Sequence, residues 1–277
     1  MEFPGKLNMG HQSGFVQAGD FKLHYLKIGS GPKLLIAFHG YGNEASIFLP
    51  FEKYIKNDYT MYSIDLPHHG KSACDNITME KRDLAEMVGN LQKEMNVQKA
   101  ALLGYSIGGR VVLSIVEIIP EQIDKVLLMA SDGLRFNPLY YFLTSTYVGS
   151  KFFTHFLTRP QKYFPFIDWL RDRKIIDTHR HSFAMWYLQA DSTRAFLLKV
   201  WPCLKKIVPK PRAVRAAIAK HDLPVHIFMG AYDKVIPPKL AHGFKRNLKS
   251  VHLYILNKGH RVMDSESLPE ISACLLS

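Results

Sequence analysis

Apolar residues in this chain alternate between short continuous runs and helical stripes. Apolar runs at 33–38, 99–103 and 125–130 read as buried strands, and the mostly apolar segments 59–64, 225–229 and 251–256 read as further strands. Two alternating segments, 15–18 and 21–28, meet across Gly19-Asp20 and read as an antiparallel hairpin. Between the runs, apolar residues recur every three to four positions. Helices are predicted at 43–56 with Asn43 as N-cap, at 79–95 with Leu84, Met87, Val88 and Leu91 on one face, after Ser106, at 237–247, and at 264–276. Strands alternating with helices imply a mostly parallel central sheet flanked by helices, an α/β fold class.

The polar residues that punctuate the strand ends carry the chemistry, because sheets of this kind place their sites at the C-terminal ends of strands. His39, Asp65, Ser106, Asp132, Asp233 and His260 all fall there. Ser106 stands in Gly104-Tyr105-Ser106-Ile107-Gly108, between an apolar run and a stripe of Val111, Val112, Ile115, Val116 and Ile119. A serine on a sharp strand-to-helix turn, with glycines two residues before and after it, reads as a nucleophile elbow. A hydroxyl at neutral pH needs a base beside it. His260, in Asn257-Lys258-Gly259-His260 after the last strand, is the candidate base. Asp233, in the turn Gly230-Ala231-Tyr232-Asp233, is the candidate for the group that orients the imidazole and stabilises its charged form. An anionic tetrahedral intermediate also needs N–H donors. Ile107 at the helix N-terminus and Tyr41 in His39-Gly40-Tyr41-Gly42 are the candidates, each through its backbone. His39 and Asp65 read as residues that shape loops by bonding to backbone.

Charge and composition mark one internal boundary. The 277 residues carry a formal charge of +12. Between Gly133 and Leu223 stand sixteen Lys/Arg against five Asp and no Glu, so almost all of the excess sits there. The same segment holds seventeen of the chain's thirty-three aromatic residues, and its stripes, Phe152-Phe153-Phe156 and Phe183-Trp186-Tyr187 among them, predict helices. Most of these aromatics are expected to pack, while the cations raise the local concentration of anionic substrates or partners. Cys74, Cys203 and Cys274 show no paired spacing, which suits free thiols in a reducing, cytoplasmic setting. The opening residues lack the pattern of a signal peptide, and no apolar run is long enough to span a membrane. No Cys-x-x-Cys or His-Glu-x-x-His spacing occurs, so neither a metal nor another cofactor is expected. His68-His69 and His179-Arg180-His181 read as structural or solvated histidines.

The order Ser106, Asp233, His260 resembles that of the α/β-hydrolase superfamily. His39-Gly40-Tyr41-Gly42 is similar to the His-Gly-x-Gly of one branch. Asp65-Leu66-Pro67-His68-His69-Gly70-Lys71-Ser72 is similar to the family's Asp-x-Pro-Gly-His-Gly-x-Ser block, with His68 where many members have Gly. The departure bears on loop shape, not on chemistry. The resemblance implies an α/β-hydrolase core at 1–132 and 224–277, with a helical cap at 133–223 inserted after the sixth strand and laid over the site. It implies a serine hydrolase cleaving an ester or thioester through an acyl-enzyme. Some members take the acid from the position of Asp132. Asp233 is preferred because its Gly-x-x-Asp turn matches the commoner motif.

In its basic insert the chain resembles carrier-protein methyl esterases, so an anionic or carrier-bound acyl substrate is attractive. A C–C bond hydrolase of the meta-cleavage type uses the same three residues. A membrane-surface lipase, with the basic aromatic cap in peripheral contact with lipid, is a further class, and a binding protein without activity is another. No nucleic-acid-binding motif accompanies the basic clusters, and no nucleic-acid partner is expected.

Overall fold

The continuous apolar runs do become the strands of one sheet. The computed structural model describes residues 11–74 and 78–277, apart from the side chains of residues 179, 180, 183, 186 and 187. The stripe Phe183-Trp186-Tyr187, the His179-Arg180 pair and the opening segment at 1–6 lie outside that description. In order, the core elements are β1 (Ser13–Ala18), β2 (Phe21–Ile28), β3 (Lys33–Phe38), α1 (Glu52–Ile55), β4 (Tyr59–Ile64), α2 (Lys81–Met95), β5 (Ala100–Tyr105), α3 (Ile107–Ile118) and β6 (Ile123–Met129). There follow α4 (Pro138–Ser145), α5 (Tyr147–Thr158), α6 (Phe164–Asp172), α7 (Thr178–Gln189), α8 (Asp191–Leu204), α9 (Pro211–His221), β7 (Val225–Gly230), α10 (Lys239–Lys245), β8 (Val251–Leu256) and α11 (Leu268–Leu276). The sheet runs β1-β2-β4-β3-β5-β6-β7-β8. β1 and β2 form the antiparallel hairpin, β2 pairs antiparallel with β4, and every later pair is parallel.

The chain divides into two compact units. Among the described residues, one comprises 11–73, Lys81–Phe136 and Val208–Ser277. Its β3, β4, β5 and β7 are buried over nearly their whole length, as their largely apolar sequences require. On one face Phe48, Phe51, Ile271 and Leu275 join the sheet residues Leu35, Met61, Leu103 and Phe228 in a single buried cluster. Each such side chain contributes about 1.5–3 kcal/mol on burial. On α2, the stripe Leu84, Met87, Val88 and Leu91 is fully buried. α3 is buried from Ile107 to Val116, because β5, α2 and α9 all pack on it.

The other unit comprises Cys74–Glu80 and Asn137–Ile207. It is helical, and local chemistry starts its helices. Asn137 accepts a bond from Tyr140 N at 3.0 Å with Pro138 in the first turn, and Thr146 accepts one from Gly149 N at 3.1 Å. Phe153 stacks on Trp201 at 4.6 Å, Tyr140 meets the same indole edge-on at 5.2 Å, and Leu157, Leu197, Val200 and Leu204 are buried. Phe152, by contrast, is exposed and rests on Phe156 and Tyr163. The short segment is tied to the end of α8 by Met79 N to Cys203 O at 2.8 Å and Lys206 to Glu80 at 2.5 Å.

Several boundaries differ from the sequence expectation. The helical unit begins after Phe136 and ends at Ile207, not at 133 and 223, and it takes in 74–80. α9 belongs with the core because Val214 and Ile218 are buried and the helix packs on α3. The helix expected at 43–56 is a 3-10 turn over Ala45–Phe51 followed by the short α1, with Glu44 rather than Asn43 at the cap position. Pro50 lies inside that turn and cannot donate to an α-helical ladder. Cys74 and Cys203 lie 129 positions apart in sequence, yet their sulfurs are 3.4 Å apart. Among the described residues, no helix is long and apolar enough to cross a membrane.

Candidate active site

β5 ends at Tyr105 and α3 begins at Ile107, so Ser106 must reverse the chain in one residue. It does so at φ 54°, ψ −116°, a conformation that costs a non-glycine residue about 1–3 kcal/mol. The turn is pinned by Ser106 N to Met129 O at 2.9 Å and by Asp132 N and Gly109 N to Ser106 O at 2.9 and 3.0 Å. Gly108 has to be glycine, since a Cβ there would stand 2.0 Å from the Phe38 carbonyl oxygen. As the first helical residue, Ile107 has an N–H with no acceptor within the helix.

His260 and Asp233 reach the same point from the ends of β8 and β7. His260 Nε2 is 3.0 Å from Ser106 Oγ, and its Nδ1 is 2.8 Å from Asp233 Oδ2. The two loops are joined by Tyr232 N to Lys258 O at 2.9 Å. Gly230 permits that approach, because a Cβ there would lie 2.0 Å from Gly259 O. The Asp233 side chain is wholly buried, and its Oδ1 accepts from Val235 N and Ile236 N, both at 2.8 Å. Its two oxygens are thus spent on separate tasks: one fixes the carboxylate, the other faces the imidazole. The imidazole keeps a quarter of its side-chain surface exposed, and Ser106 is partly exposed.

Asp132, the alternative acid, is engaged elsewhere. Its Oδ2 accepts from Arg110 Nε at 2.9 Å and from Arg110 Nη2, and its Oδ1 accepts from Gly133 N at 2.7 Å. Tyr105, which carried no weight in the sequence, lies against the base with its ring 5.7 Å from that of His260. Burial raises the Tyr105 phenol above its ordinary range, so it stays protonated.

The Tyr41 loop is held by the residues read as loop-shaping. His39 is fully buried. Its Nε2 accepts from Leu66 N at 3.0 Å, so its Nδ1 carries the proton and donates to Gly40 O at 2.8 Å. Burial pushes this imidazole down to about 3, with neighbouring His69 adding to the effect. Asp65 accepts from Ala45 N at 2.6 Å, Lys71 N at 2.9 Å and His24 Nδ1 at 2.8 Å. His69 donates from Nδ1 to Pro67 O at 2.9 Å, and burial lowers its pKa. His68 sits at φ 64°, in the left-handed region that glycine adopts freely. The position is therefore one at which glycine suits the backbone better than histidine does. His181 bonds to Asp168 at 2.7 Å, a structural contact within the helical unit.

Comparison with known proteins agrees with this architecture. The sequence profile of the alpha/beta hydrolase fold matches residues 33–263. Over 246 residues the chain is 23% identical to the uncharacterized hydrolase YugF of Bacillus subtilis, covering 87% of each. Other matches are partial. A dihydrolipoyllysine-residue acetyltransferase component of the acetoin cleaving system from Pseudomonas putida is 31% identical over 38% of this chain and 29% of its own length. A pimeloyl-[acyl-carrier protein] methyl ester esterase from Vibrio parahaemolyticus is 30% identical over 39% of this chain and 40% of its own. Among solved structures, the carboxylesterase CesB of Bacillus subtilis aligns with a TM-score of 0.61 at 17% identity, covering 98% of this chain and 92% of that one. The 2-hydroxy-6-oxo-6-phenylhexa-2,4-dienoate hydrolase of a Rhodococcus species aligns at 0.63 and 18% identity, covering 96% and 99%. The match to the profile over most of the chain, on a sheet of this order, places the protein in the α/β-hydrolase fold family.

Proposed function

We propose that the protein is a serine hydrolase that cleaves carboxylic esters or thioesters through an acyl-enzyme, with Ser106, His260 and Asp233 as its triad. The observation that carries the reading is the unbroken relay from Ser106 Oγ to His260 Nε2 at 3.0 Å and from His260 Nδ1 to Asp233 Oδ2 at 2.8 Å. In this mechanism Ser106 Oγ attacks the acyl carbon while His260 Nε2 takes the hydroxyl proton. Asp233 holds the imidazole in the tautomer that leaves Nε2 free to accept, and stabilises the imidazolium that forms. The N–H groups of Ile107 and Tyr41 receive the oxyanion, where loss of one such donor costs about a hundred- to a thousandfold in rate. His260 then returns its proton to the leaving alkoxide or thiolate, and the acyl group stays on Ser106. Water, deprotonated by His260, attacks the acyl-enzyme, and collapse releases the acid and restores the serine.

The helical unit is the proposed cap, and small or medium acyl groups, anionic or carrier-bound, are the proposed substrates, in keeping with the cationic excess between 133 and 223. A series of p-nitrophenyl esters of increasing acyl length tests the reading. The expected result is a burst of one nitrophenolate per chain followed by slower turnover, both absent in Ser106→Ala. A C–C hydrolase would instead turn over a vinylogous 1,5-diketone far faster than any ester, and that result would replace the esterase reading.

A further inference from the structure

A concavity lies in the core unit, away from the triad residues. It is a groove of about 930 Å³ between the Leu134–Phe136 connection, the first turns of α9 and one side of α10, and none of Ser106, Asp233 or His260 lines it. That volume is of the size that holds one small molecule. The buried side chains of Leu134 and Phe244, with Leu240 beside them, form an apolar floor. Every charged side chain that lines it is a cation: Arg135, Lys210, Arg212, Arg215 and Lys239.

Two features make this more than a solvated basic face. Arg215 is a fixed charge, donating to Phe244 O, to Arg246 O at 2.6 Å and to Gly243 O at 3.4 Å. These bonds clamp α9 to the end of α10, so the two walls are held in place before any ligand arrives. The acid beside Lys210 is also spent. Glu117 accepts from the Lys210 backbone N at 2.8 Å and pairs with Lys81 at 2.6 Å. No ion pair occupies Arg135, Arg212 or Lys239 among the described residues.

We propose that this groove binds a single-chain amphiphile with a phosphate head. The head lies among Arg135, Lys210, Arg212 and Lys239, and the chain lies over Leu134 and Leu240. A phosphate suits the lining because its oxygens accept charge-assisted bonds from several cations at once, and arginine forks match it in pairs. An apolar floor alone would take neutral detergents as readily, and cations alone would take inorganic phosphate. Their juxtaposition selects a molecule that carries both parts. The site does not depend on the hydrolytic reading, since it shares no residue with the triad.

Gly243 supplies a test that spares the fold. It lines the groove, and a Cβ added there meets nothing within 4 Å. Gly243→Phe should fill the groove and, as a helix-interior change away from glycine, leave folding intact. Calorimetric titration of the full-length protein with dodecyl phosphate below its micelle concentration should show one site per chain. Binding should be about tenfold or more tighter than for dodecyl maltoside or inorganic phosphate. Gly243→Phe and the triple variant Arg135→Glu, Arg212→Glu, Lys239→Glu should each weaken dodecyl phosphate binding at least about tenfold. Both variants should keep the wild-type melting temperature and the wild-type rate of fluorophosphonate labelling. Protein first blocked at Ser106 with a phosphonate should bind as before. Equal binding of dodecyl maltoside, unchanged affinity in Gly243→Phe, loss of binding in the blocked protein, or binding to anionic vesicles without binding of the monomeric amphiphile would each overturn the proposal.

Discussion

Replacing Asp233 with Asn separates the two tasks of its carboxylate. Oδ1 takes two backbone N–H groups, from Val235 and Ile236, at 2.8 Å each in a fully buried position. An asparagine there must keep its carbonyl oxygen on those donors, because leaving both unpaired would cost about 1–3 kcal/mol apiece. Its amide NH2 is then forced against His260 Nδ1, where a carboxylate oxygen stood 2.8 Å away. The imidazole must offer a lone pair at Nδ1, so the proton moves to Nε2, the nitrogen that faces Ser106. The base is lost although every heavy atom stays in place. In a serine protease triad the same change lowers kcat about ten-thousandfold, which corresponds to about 5 kcal/mol of transition-state stabilisation. We expect a loss of that order in kcat/KM for p-nitrophenyl acetate, a circular dichroism spectrum like the parent's, and a similar slowing of fluorophosphonate labelling. Asp132→Asn, which disturbs only the Arg110 contact, should keep activity within about tenfold and lower stability by about 1–2 kcal/mol. If Asp233→Asn keeps more than about a tenth of the activity while Asp132→Asn loses most of it, the acid has been misassigned.

Three further outcomes follow from the same geometry. His39 is held neutral in the folded protein at about 3 against an ordinary value of 6.5, so the unfolded chain takes up a proton that the folded one refuses. Stability is therefore fully present above pH 6.5 and falls as pH drops toward 3, at about 1.4 kcal/mol per unit. Urea unfolding at pH 7 and pH 5 should differ by about 2 kcal/mol or more, and a flat profile would contradict the assignment. His68→Gly relieves the left-handed backbone and should raise stability by about 0.5–1 kcal/mol; a loss of stability would mean that the imidazole holds the loop. Cys74 and Cys203 should form a disulfide under diamide, seen as the loss of two hydrogens in intact mass and absent in Cys74→Ser. Persistence of both thiols would show that the 3.4 Å approach is not realised in solution.

The parallel strands were legible because burial on both faces leaves a largely apolar run, and β3 and β4 begin and end where those runs do. β8 keeps the expected bounds but is the edge strand, with His252 and Ile255 exposed rather than buried. Helix starts were less so. Pro237-Pro238 before α10 and Asp264 to Ser267 before α11 are residue types that suit a helix cap or first turn, so the expected starts at 79, 237 and 264 come two to four residues early. α9 was read with the helical insert because its solvent side is as basic as that segment, while only Val214 and Ile218 mark its contact with the core. The approach of Ser106, Asp233 and His260 was readable from strand ends and chain order. The engagement of Asp132 by Arg110, the ring of Tyr105 beside His260, the Cys74–Cys203 approach and the basic groove were not. Each depends on segments brought together by packing, and local spacing carries no trace of that.

Labelling with a fluorophosphonate, followed by peptide mass spectrometry, tests the central claim most directly. A hydroxyl reacts with such a reagent at neutral pH only where a base and oxyanion donors activate it. The account predicts one adduct per folded chain, on Ser106, that vanishes in Ser106→Ala and in protein unfolded by urea. Folded protein that stays unlabelled, or that is labelled at another residue, would contradict it.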